Sequence, residues 1–439
     1  MLKHTLEEIE LSSGSSGLLI DIPSTSVFRF EIGFVGGTLH CPEDKREISH
    51  SLEHMILKAN KTYATKTELS ADVSKYGARS NAFTGSNTLS FVYRCPEFDW
   101  ERIFTIAIKT ITTPLLLEKH LKNELKVIEE ELTSNLTKYS QVLRFATCKS
   151  VFGYDLSDKT RLKLLKNLTI EDLRDFYSQI FNSSNMYFIV MGNLKGKRGL
   201  IEKMLNQIQF QTFTSHPSRQ LELILPKPQR VKQAVVVSCP EVEKMRFGLH
   251  FLKPEIMSYT QCMPAYVLKE ILTGVVSIFT SRINKQARDR GLSYGIMSQF
   301  QHIYDNASGF LITGTVTDNN ADSLFDLIVD ELKKIQQGQL TDKEITEAKQ
   351  KLFGYEDLQE VTTGILMNWY SDYIFYKRLG IDVDKYDQWR SLLELVTVQD
   401  VLEYFASMLQ NQIWVLGLLG NNVDKHKDNL YAKAETLFQ

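Results

Sequence analysis

The chain has 439 residues, 43% of them hydrophobic, and a formal net charge of −2. This length allows a large core and more than one domain, and the near-neutral charge gives no electrostatic reason to expect nucleic acid or a membrane surface as a partner. There is no apolar run long enough for a transmembrane helix, the N-terminal acidic residues are untypical of a targeting peptide, and the scattered cysteines favour a reducing compartment, so we expect a soluble cytoplasmic protein.

The hydrophobic pattern predicts an alternation of strands and helices in both halves of the chain. In the first half, the predicted elements are strands near 17–22 and 27–35, helices near 45–59 and 67–76, a hairpin over 80–94, and helices over 98–112 and 117–145. In the second half, they are strands near 232–239 and 246–253, two helices, strands near 293–301 and 308–315, and further helices. This order predicts an α+β fold, with a mainly antiparallel sheet covered by helices in each half.

An internal repeat indicates that the two halves are homologous α/β sandwich domains. Residues 168–177 resemble residues 396–405, and each segment leads through an apolar run to a Gly-Asn pair. In both copies a threonine is placed to cap a helix that is followed by a strand. We therefore predict a first domain over 1–210, a linker over 211–222 and a second domain over 223–439.

The segment His50-Ser51-Leu52-Glu53-His54 carries the strongest chemical signal in the chain. We predict a helix that begins near residue 45, where Asp44 and Glu47 have capping-box spacing. Histidines at i and i+4 lie on one face of a helix, and Glu53 lies on the same face. The order H-x-x-E-H is the inverted signature of zinc peptidases. It predicts His50 and His54 as metal ligands and Glu53 as the general base.

The alternative without function is a polar helix that carries two histidines by chance. Such a helix gains nothing from gathering two histidines and a carboxylate opposite its apolar stripe. The equivalent positions in the second half, 228 residues further on, are Ile278, Ser281 and Arg282. We therefore predict that only the first half holds the metal.

A catalytic zinc normally takes three protein ligands and keeps one position open. The best source of the third ligand is the predicted helix around residues 124–132. On a helical wheel Glu124 and Glu131 fall about 20° apart at the edge of the apolar stripe, whereas Glu129 and Glu130 point elsewhere. A solvated acidic run is the alternative, and it explains Glu129 and Glu130 better than the paired Glu124 and Glu131.

With these motifs the chain resembles the pitrilysin-like family of zinc peptidases, which includes mitochondrial processing peptidase and insulin-degrading enzyme. In that family a ligand glutamate follows H-x-x-E-H along the chain, with an acidic residue seven positions before it. The resemblance implies one Zn2+ per chain on His50, His54 and Glu131. It also implies catalytic roles for Glu53, as base and proton donor, and for Glu124, which would orient a ligand histidine. The two domains would form one half-shell of a clam-shell peptidase.

The segment Asn81-Ala82-Phe83-Thr84 looks like the family's active-site strand, which pairs with substrate. The resemblance implies that Asn81, Ala82 and Phe83 bind an extended peptide by strand addition. The alternative, an ordinary arm of a hairpin, is equally consistent with the residues alone.

One family motif is only partly kept. The family's R-E-K-R-G-L-A-Y segment supplies an arginine and, seven residues on, a tyrosine that hold the substrate. Here Tyr294 matches the tyrosine, but Ala287 stands at the arginine position. Arg288 is one residue off, about 100° around a helix, and whether Arg288 or Arg290 substitutes stays open. Since the family completes its site across two half-shells, we expect a dimer and favour a heterodimer with a related chain over a homodimer.

The function that the resemblance implies is a zinc-dependent endopeptidase acting on short or unfolded peptides in a closed chamber, with leader-peptide processing among its possible roles. The alternative is a peptide-binding or scaffold subunit of a two-chain complex with little activity of its own. Chain length and the absence of targeting signals favour a bacterial cytoplasmic member.

Overall fold

The computed structural model describes residues 2–215, 218–229, 231–275, 278–303, 307–358, 362–381 and 388–439. The strands, in chain order, are β1 Thr5–Glu10, β2 Ser16–Asp21, β3 Val27–Val35, β4 Arg79–Thr84, β5 Thr88–Pro96, β6 Met186–Gly192, β7 Lys232–Ser238, β8 Met245–Lys253, β9 Ile296–Ile303, β10 Ala307–Val316 and β11 Ile413–Gly420. The helices of the first half are α1 Ile48–Ile56, α2 Lys66–Ser74, α3 Trp100–Thr112, α4 Glu118–Asn135, α5 Tyr139–Phe152, α6 Asp158–Leu164, α7 Ile170–Ile180 and α8 Arg198–Asn206.

Helices of the second half follow in the same manner. They are α9 Tyr259–Leu272, α10 Arg282–Asp289, α11 Ala321–Gln336, α12 Asp342–Leu358, α13 Thr363–Arg378, α14 Trp389–Leu395, α15 Val398–Gln410 and α16 Asp424–Glu435. No helix in the described ranges is both long and apolar enough to cross a membrane.

Each half contributes one sheet, and each sheet is mainly antiparallel, which confirms the predicted α+β class. The first sheet has the order β1-β2-β6-β3-β5-β4 and the second the order β7-β11-β8-β10-β9. In the first sheet β2 and β6 are parallel, and in the second β7 and β11 are parallel. The predicted threonine caps are present, because Thr169 and Thr397 both form capping boxes.

The two compact units do not coincide with the two halves of the sequence. One unit contains residues 1–133, 159–224 and 360–381, and the other contains residues 134–158, 225–359 and 382–439. The predicted boundaries around 211–222 stay a prediction about the duplicated halves. The compact units differ from those halves because each takes one helical segment from the other half of the chain.

In the first unit, alternation along β3 explains why helices cover both faces of the sheet. Phe28, Phe30, Ile32 and Phe34 are fully buried on the face that packs on α1, α3 and α7. The residues between them point the other way, where α13 lies: Arg29 Nε donates to Thr363 Oγ1 (2.8 Å), and Ser371 Oγ donates to Glu31 (2.7 Å).

In the second unit, α5 occupies the position that α13 takes in the first. It packs on β11 and β7 and reaches β8. Gly417 of β11 permits the close approach, because a Cβ there would lie 2.6 Å from the Thr147 side chain. The predicted single helix over 117–145 is therefore wrong. It is two helices separated by a turn in which Lys138 N–H donates to the Asn135 carbonyl (2.9 Å), since α4 and α5 pack in different units.

Candidate metal centre

Helix α1 presents two histidines side by side. Its apolar residues Leu52, Met55 and Ile56 are fully buried in the core of the first unit. This anchors the helix so that the His50 and His54 rings lie on the other side, 4.9 Å apart between centroids and nearly perpendicular. The shared orientation follows from i, i+4 spacing on a helix.

The predicted start of this helix near residue 45 is wrong. Residues 43–45 form a separate 3-10 turn, the α-helix begins at Ile48, and Glu47 makes no capping bond with its side chain. The Glu47 carboxylate is instead fully buried and lies 2.8 Å from Nδ1 of His50. The capping-box spacing was misleading because the Glu47 carboxylate binds His50 instead of the backbone at the helix N-terminus.

Helix α4 brings Glu131 to the two histidines. Its Oε2 lies 3.7 Å from Nε2 of His50 and 3.7 Å from Nε2 of His54. One possible ligand atom from each of these three residues lies within 4.8 Å of the other two. In the described part of the chain, no other group of His, Cys, Asp or Glu side chains has this spacing. Glu129, Glu130 and Glu131 are all exposed, Glu131 to 48% in its side chain. What distinguishes Glu131 is therefore its contact with the two histidines.

Each histidine has a carboxylate behind it that fixes the ring. Nδ1 of His50 faces Glu47 at 2.8 Å, and Nδ1 of His54 faces Glu124 at 3.3 Å. A proton on Nδ1 leaves the lone pair on Nε2, which is the atom that points to Glu131. Two imidazole nitrogens and a carboxylate oxygen form a donor set found in catalytic zinc sites. The residues present therefore fit a zinc ion.

Buried charge pairs support this arrangement. Arg161 donates to Glu47 through Nε (2.5 Å) and Nη2 (3.0 Å). Burial raises the pKa of Glu47, but hydrogen bonds from His50 and the charge of Arg161 outweigh it and lower that pKa to about 2. Burial also lowers the pKa of His50, but Glu131 and Glu47 raise it to about 9. Metal binding at this site should therefore release a proton.

The second carboxylate, Glu124, is held in the same manner. Lys58 Nζ donates to its Oε1 at 2.6 Å, and its side chain is almost completely buried. Burial raises the pKa of Glu124, but His54 and Lys58 lower it to about 2. Glu124 is thus an anion that can accept a hydrogen bond from Nδ1–H of His54.

The remaining predicted residue of the first helix, Glu53, meets strand β4. Thr84 Oγ1 donates to Glu53 Oε2 at 2.6 Å. Strand β4 is the edge of its sheet and, within the described residues, pairs with β5 alone. Along it Asn81 is exposed, Ala82 is buried and Phe83 is 55% exposed. The predicted substrate segment is thus a strand with one unpaired edge, tied to the predicted general base.

Tyr294 lies in the second unit and is 84% exposed. The guanidinium of Arg288 lies 4.5 Å from its ring centroid and 4.3 Å from that of Phe279, and Arg288 Nε donates to the Tyr294 carbonyl at 3.0 Å. Ala287 is fully buried in the core. Arg288 therefore contacts Tyr294 in the structure, and whether Arg288 or Arg290 takes the role of the family arginine stays open.

Three residues that sustain the centre were missed in the sequence. The i, i+3 spacing of Glu47 and His50 was a usable signal, but it also fitted a helix cap. Lys58 lies one turn beyond His54 on the same side of the chain, at i+4, and could have been found in the same way. Arg161 is 114 residues from Glu47 and has no local signal.

The chain matches two parts of one peptidase family. Residues 18–158 match the family described as "Insulinase (Peptidase family M16)", and residues 167–352 match "Peptidase M16 inactive domain". An uncharacterized zinc protease of Rickettsia felis is 21% identical over 80% of this chain and 83% of its own length. An uncharacterized zinc protease of Bacillus subtilis, YmxG, is 21% identical over 72% of this chain and 75% of its own.

The fold is also similar to solved structures. A protease from Helicobacter pylori superposes with a TM-score of 0.79 at 18% identity, covering 95% of this chain and 100% of that one. At this level of identity the likeness concerns the fold.

Proposed function

The chain belongs to peptidase family M16, the pitrilysin-like zinc peptidases, and from this premise we propose that it is a zinc-dependent endopeptidase that cleaves short or unfolded peptides. The observation that carries the proposal is the convergence of His50, His54 and Glu131 within 4.8 Å, with Glu53 on the same helix as the histidines. A scaffold protein has no need for a base beside three metal ligands.

In this proposal, His50, His54 and Glu131 hold one Zn2+ ion. When bound, zinc supplies a Lewis acid that polarises the scissile carbonyl and makes water a nucleophile at neutral pH. Glu53 takes the proton of the attacking water and returns it to the leaving amine. Thr84 holds one oxygen of Glu53 by its hydrogen bond, which leaves the other oxygen for proton transfer. Glu124 and Glu47 orient the histidines and hold their Nδ1 protons.

The substrate would lie along β4. The free edge of this strand offers backbone N–H and C=O groups to an extended peptide, and Asn81, Ala82 and Phe83 would contact it. Pairing through the main chain requires little sequence preference. It does require an unfolded segment, which is why we propose short or unfolded peptides as substrates, with leader-peptide processing as one use.

The experiment compares zinc content and peptide cleavage of the purified chain with those of two pairs of variants. Glu53→Gln should keep zinc and lose cleavage, because it removes only the base. Glu131→Gln should lose zinc, whereas Glu130→Gln, the matched control on the adjacent exposed residue, should keep both. Full cleavage by Glu53→Gln, or zinc retained equally in Glu131→Gln and Glu130→Gln, would refute the assignment.

A second candidate function is a peptide-binding or scaffold subunit that works with a related chain. The observation that favours it is the buried Ala287 at the position matching the family arginine. Zinc bound at one equivalent without cleavage, followed by cleavage when a related chain is added, would support this heterodimer. A homodimer that cleaves peptides by itself would instead assign the arginine role to Arg288 beside Tyr294. The cytoplasmic location stays a prediction from the sequence.

A further inference from the structure

A cavity of about 460 Å³ lies in the second unit. It opens on the face of the sheet where α5 packs. Residues of α5, β8, β9 and β10 line it, among them Arg144, Arg246, His250, Met297, Gln299 and Thr313. None of the described residues that line it is acidic.

The cavity exists because α5 covers only part of the sheet. This helix packs on β11, β7 and β8, so the face of β10 and β9 is left open beside it. On β8, Arg246, Gly248 and His250 point to this face because they alternate along the strand. Gly248 leaves room for the His250 ring at the base of the cavity, since a Cβ at position 248 would lie 2.9 Å from Nε2 of His250.

The two arginines that line the cavity have no carboxylate partner among the described residues. Arg246 makes one long hydrogen bond, from Nη1 to Ser140 Oγ at 3.3 Å, and its Nε is buried without an acceptor. Arg144 is exposed and forms no ion pair with any described side chain. Most other arginines of the structure with buried or half-buried guanidinium groups are paired, as Arg161 is with Glu47 and Arg282 is with Glu344.

His250 is a second and independent sign of a ligand. Its side chain is 95% buried and lines the cavity, yet neither ring nitrogen has a hydrogen-bond partner among the described residues. Buried polar groups are normally hydrogen-bonded. Burial and then the charge of Arg144 lower the pKa of His250 to about 4, so the ring is neutral in the empty cavity and can donate one N–H. Arg246 also lies over the Tyr139 ring and Arg144 over the Phe145 ring, but neither has a carboxylate partner among the described residues. A nearly buried imidazole that faces the cavity beside two such guanidinium groups is suited to an anion.

We propose that this cavity binds a carboxylate group of the peptide substrate, with Arg246 and Arg144 as its charged donors and His250 as a further donor. The inference rests on the proposed peptidase function, because a peptide is the carboxylate carrier that such an enzyme meets. Arginine forks match the planar carboxylate in two parallel hydrogen bonds. The carboxylate comes either from the C-terminus of the peptide or from an Asp or Glu side chain.

The test is equilibrium binding to the full chain carrying Glu53→Gln, so that cleavage does not disturb the measurement. Three peptides of one sequence serve as probes: a free C-terminal acid, its C-terminal amide, and the amide with an aspartate near the end. The acid should bind roughly tenfold more tightly than the amide, as expected for about 1.4 kcal/mol of charge-assisted hydrogen bonding. Tight binding of the aspartate peptide alone would assign the site to acidic side chains, tight binding of the free acid alone would assign it to the C-terminus, and equal tight binding of both would show that it accepts either carboxylate.

Arg246→Gln and Arg144→Gln should each abolish the difference between acid and amide. Lys427→Gln, which removes one exposed positive charge elsewhere in the second unit, should preserve it. Thermal unfolding of each variant checks that the fold is intact. Equal affinity for all three peptides would overturn the inference, as would discrimination that survives both arginine variants. Discrimination without any cleavage by the wild-type chain would keep this inference and refute the proposed function instead.

Discussion

Glu47→Gln tests the claim that a fully buried carboxylate behind His50 maintains the metal centre. The substitution keeps the shape of the side chain and removes its charge. It removes the anion that accepts two hydrogen bonds from Arg161, and Nη2 of that arginine lies 3.3 Å from Nδ1 of His50. Loss of a buried negative charge between Arg161 and the proposed ligand His50 should weaken both folding and zinc binding.

The magnitude follows from the charge of Glu47 in the folded protein. A pKa of about 2, against an ordinary value of 4.5, corresponds to roughly 3 kcal/mol of stability at neutral pH. Because the folded pKa is the lower one, this contribution is complete above about pH 5 and is lost as the pH falls towards 2. Glu47→Gln should therefore lower the free energy of unfolding of the zinc-free protein by about 3 kcal/mol at pH 7, and by much less at low pH.

Zinc affinity should fall about 10–100-fold, as is typical when a carboxylate that orients a ligand histidine is replaced. Urea unfolding of the zinc-free protein and competition with a fluorescent zinc chelator measure the two effects. Glu43→Gln is the matched control, because Glu43 also pairs with an arginine, Arg46, at 3.6 Å, but its side chain is 87% exposed. This control should change the free energy of unfolding by less than about 0.5 kcal/mol. If Glu47→Gln unfolds and binds zinc as the wild type does, the buried pair has no role in the centre.

Two further predictions concern the general base and the first sheet. Thr84→Val removes the hydrogen bond to Glu53 and should lower kcat about tenfold with zinc content unchanged; steady-state kinetics and metal analysis check this, and an unchanged kcat would mean that Thr84 does not position the base. Gly33→Ala should destabilise the folded protein by about 1–3 kcal/mol, because the added Cβ would lie 2.1 Å from the Tyr187 ring. Gly199→Ala is the comparison: its Cβ would lie in open space on α8, and it should stabilise the protein by up to about 1 kcal/mol. Thermal unfolding of both variants measures these changes, and equal shifts in Tm for Gly33→Ala and Gly199→Ala would contradict the packing argument.

Much of the candidate metal centre was predictable because the proposed ligands obey local rules. His50 and His54 share a helical face by their spacing, and the wheel separates Glu131 from Glu129 and Glu130. The structure brings these predicted ligands together. Strand β1 was not predicted, since its sequence TLEEIE is largely exposed and lacks apolar alternation.

The long-range partners could not be predicted from local pattern. Arg161 reaches Glu47 from a separate helix, and the interpretation of Glu47 as a helix cap concealed its burial. The break between α4 and α5 was missed for a related reason. A run of helix-forming residues predicts helix on either side of Lys138, but the place where the chain leaves one core for another depends on tertiary packing.

The interleaving of the two units has a consequence for synthesis of the chain. Arg29 meets Thr363 across 334 residues, so the α13 face of the first sheet stays bare until the chain beyond residue 363 has left the ribosome. At roughly 5–20 residues per second, that interval is on the order of tens of seconds. The strands of the first sheet thus emerge early, but the face that α13 covers is packed only much later. A nascent chain that stalls before α13 presents that open sheet face to chaperones and proteases.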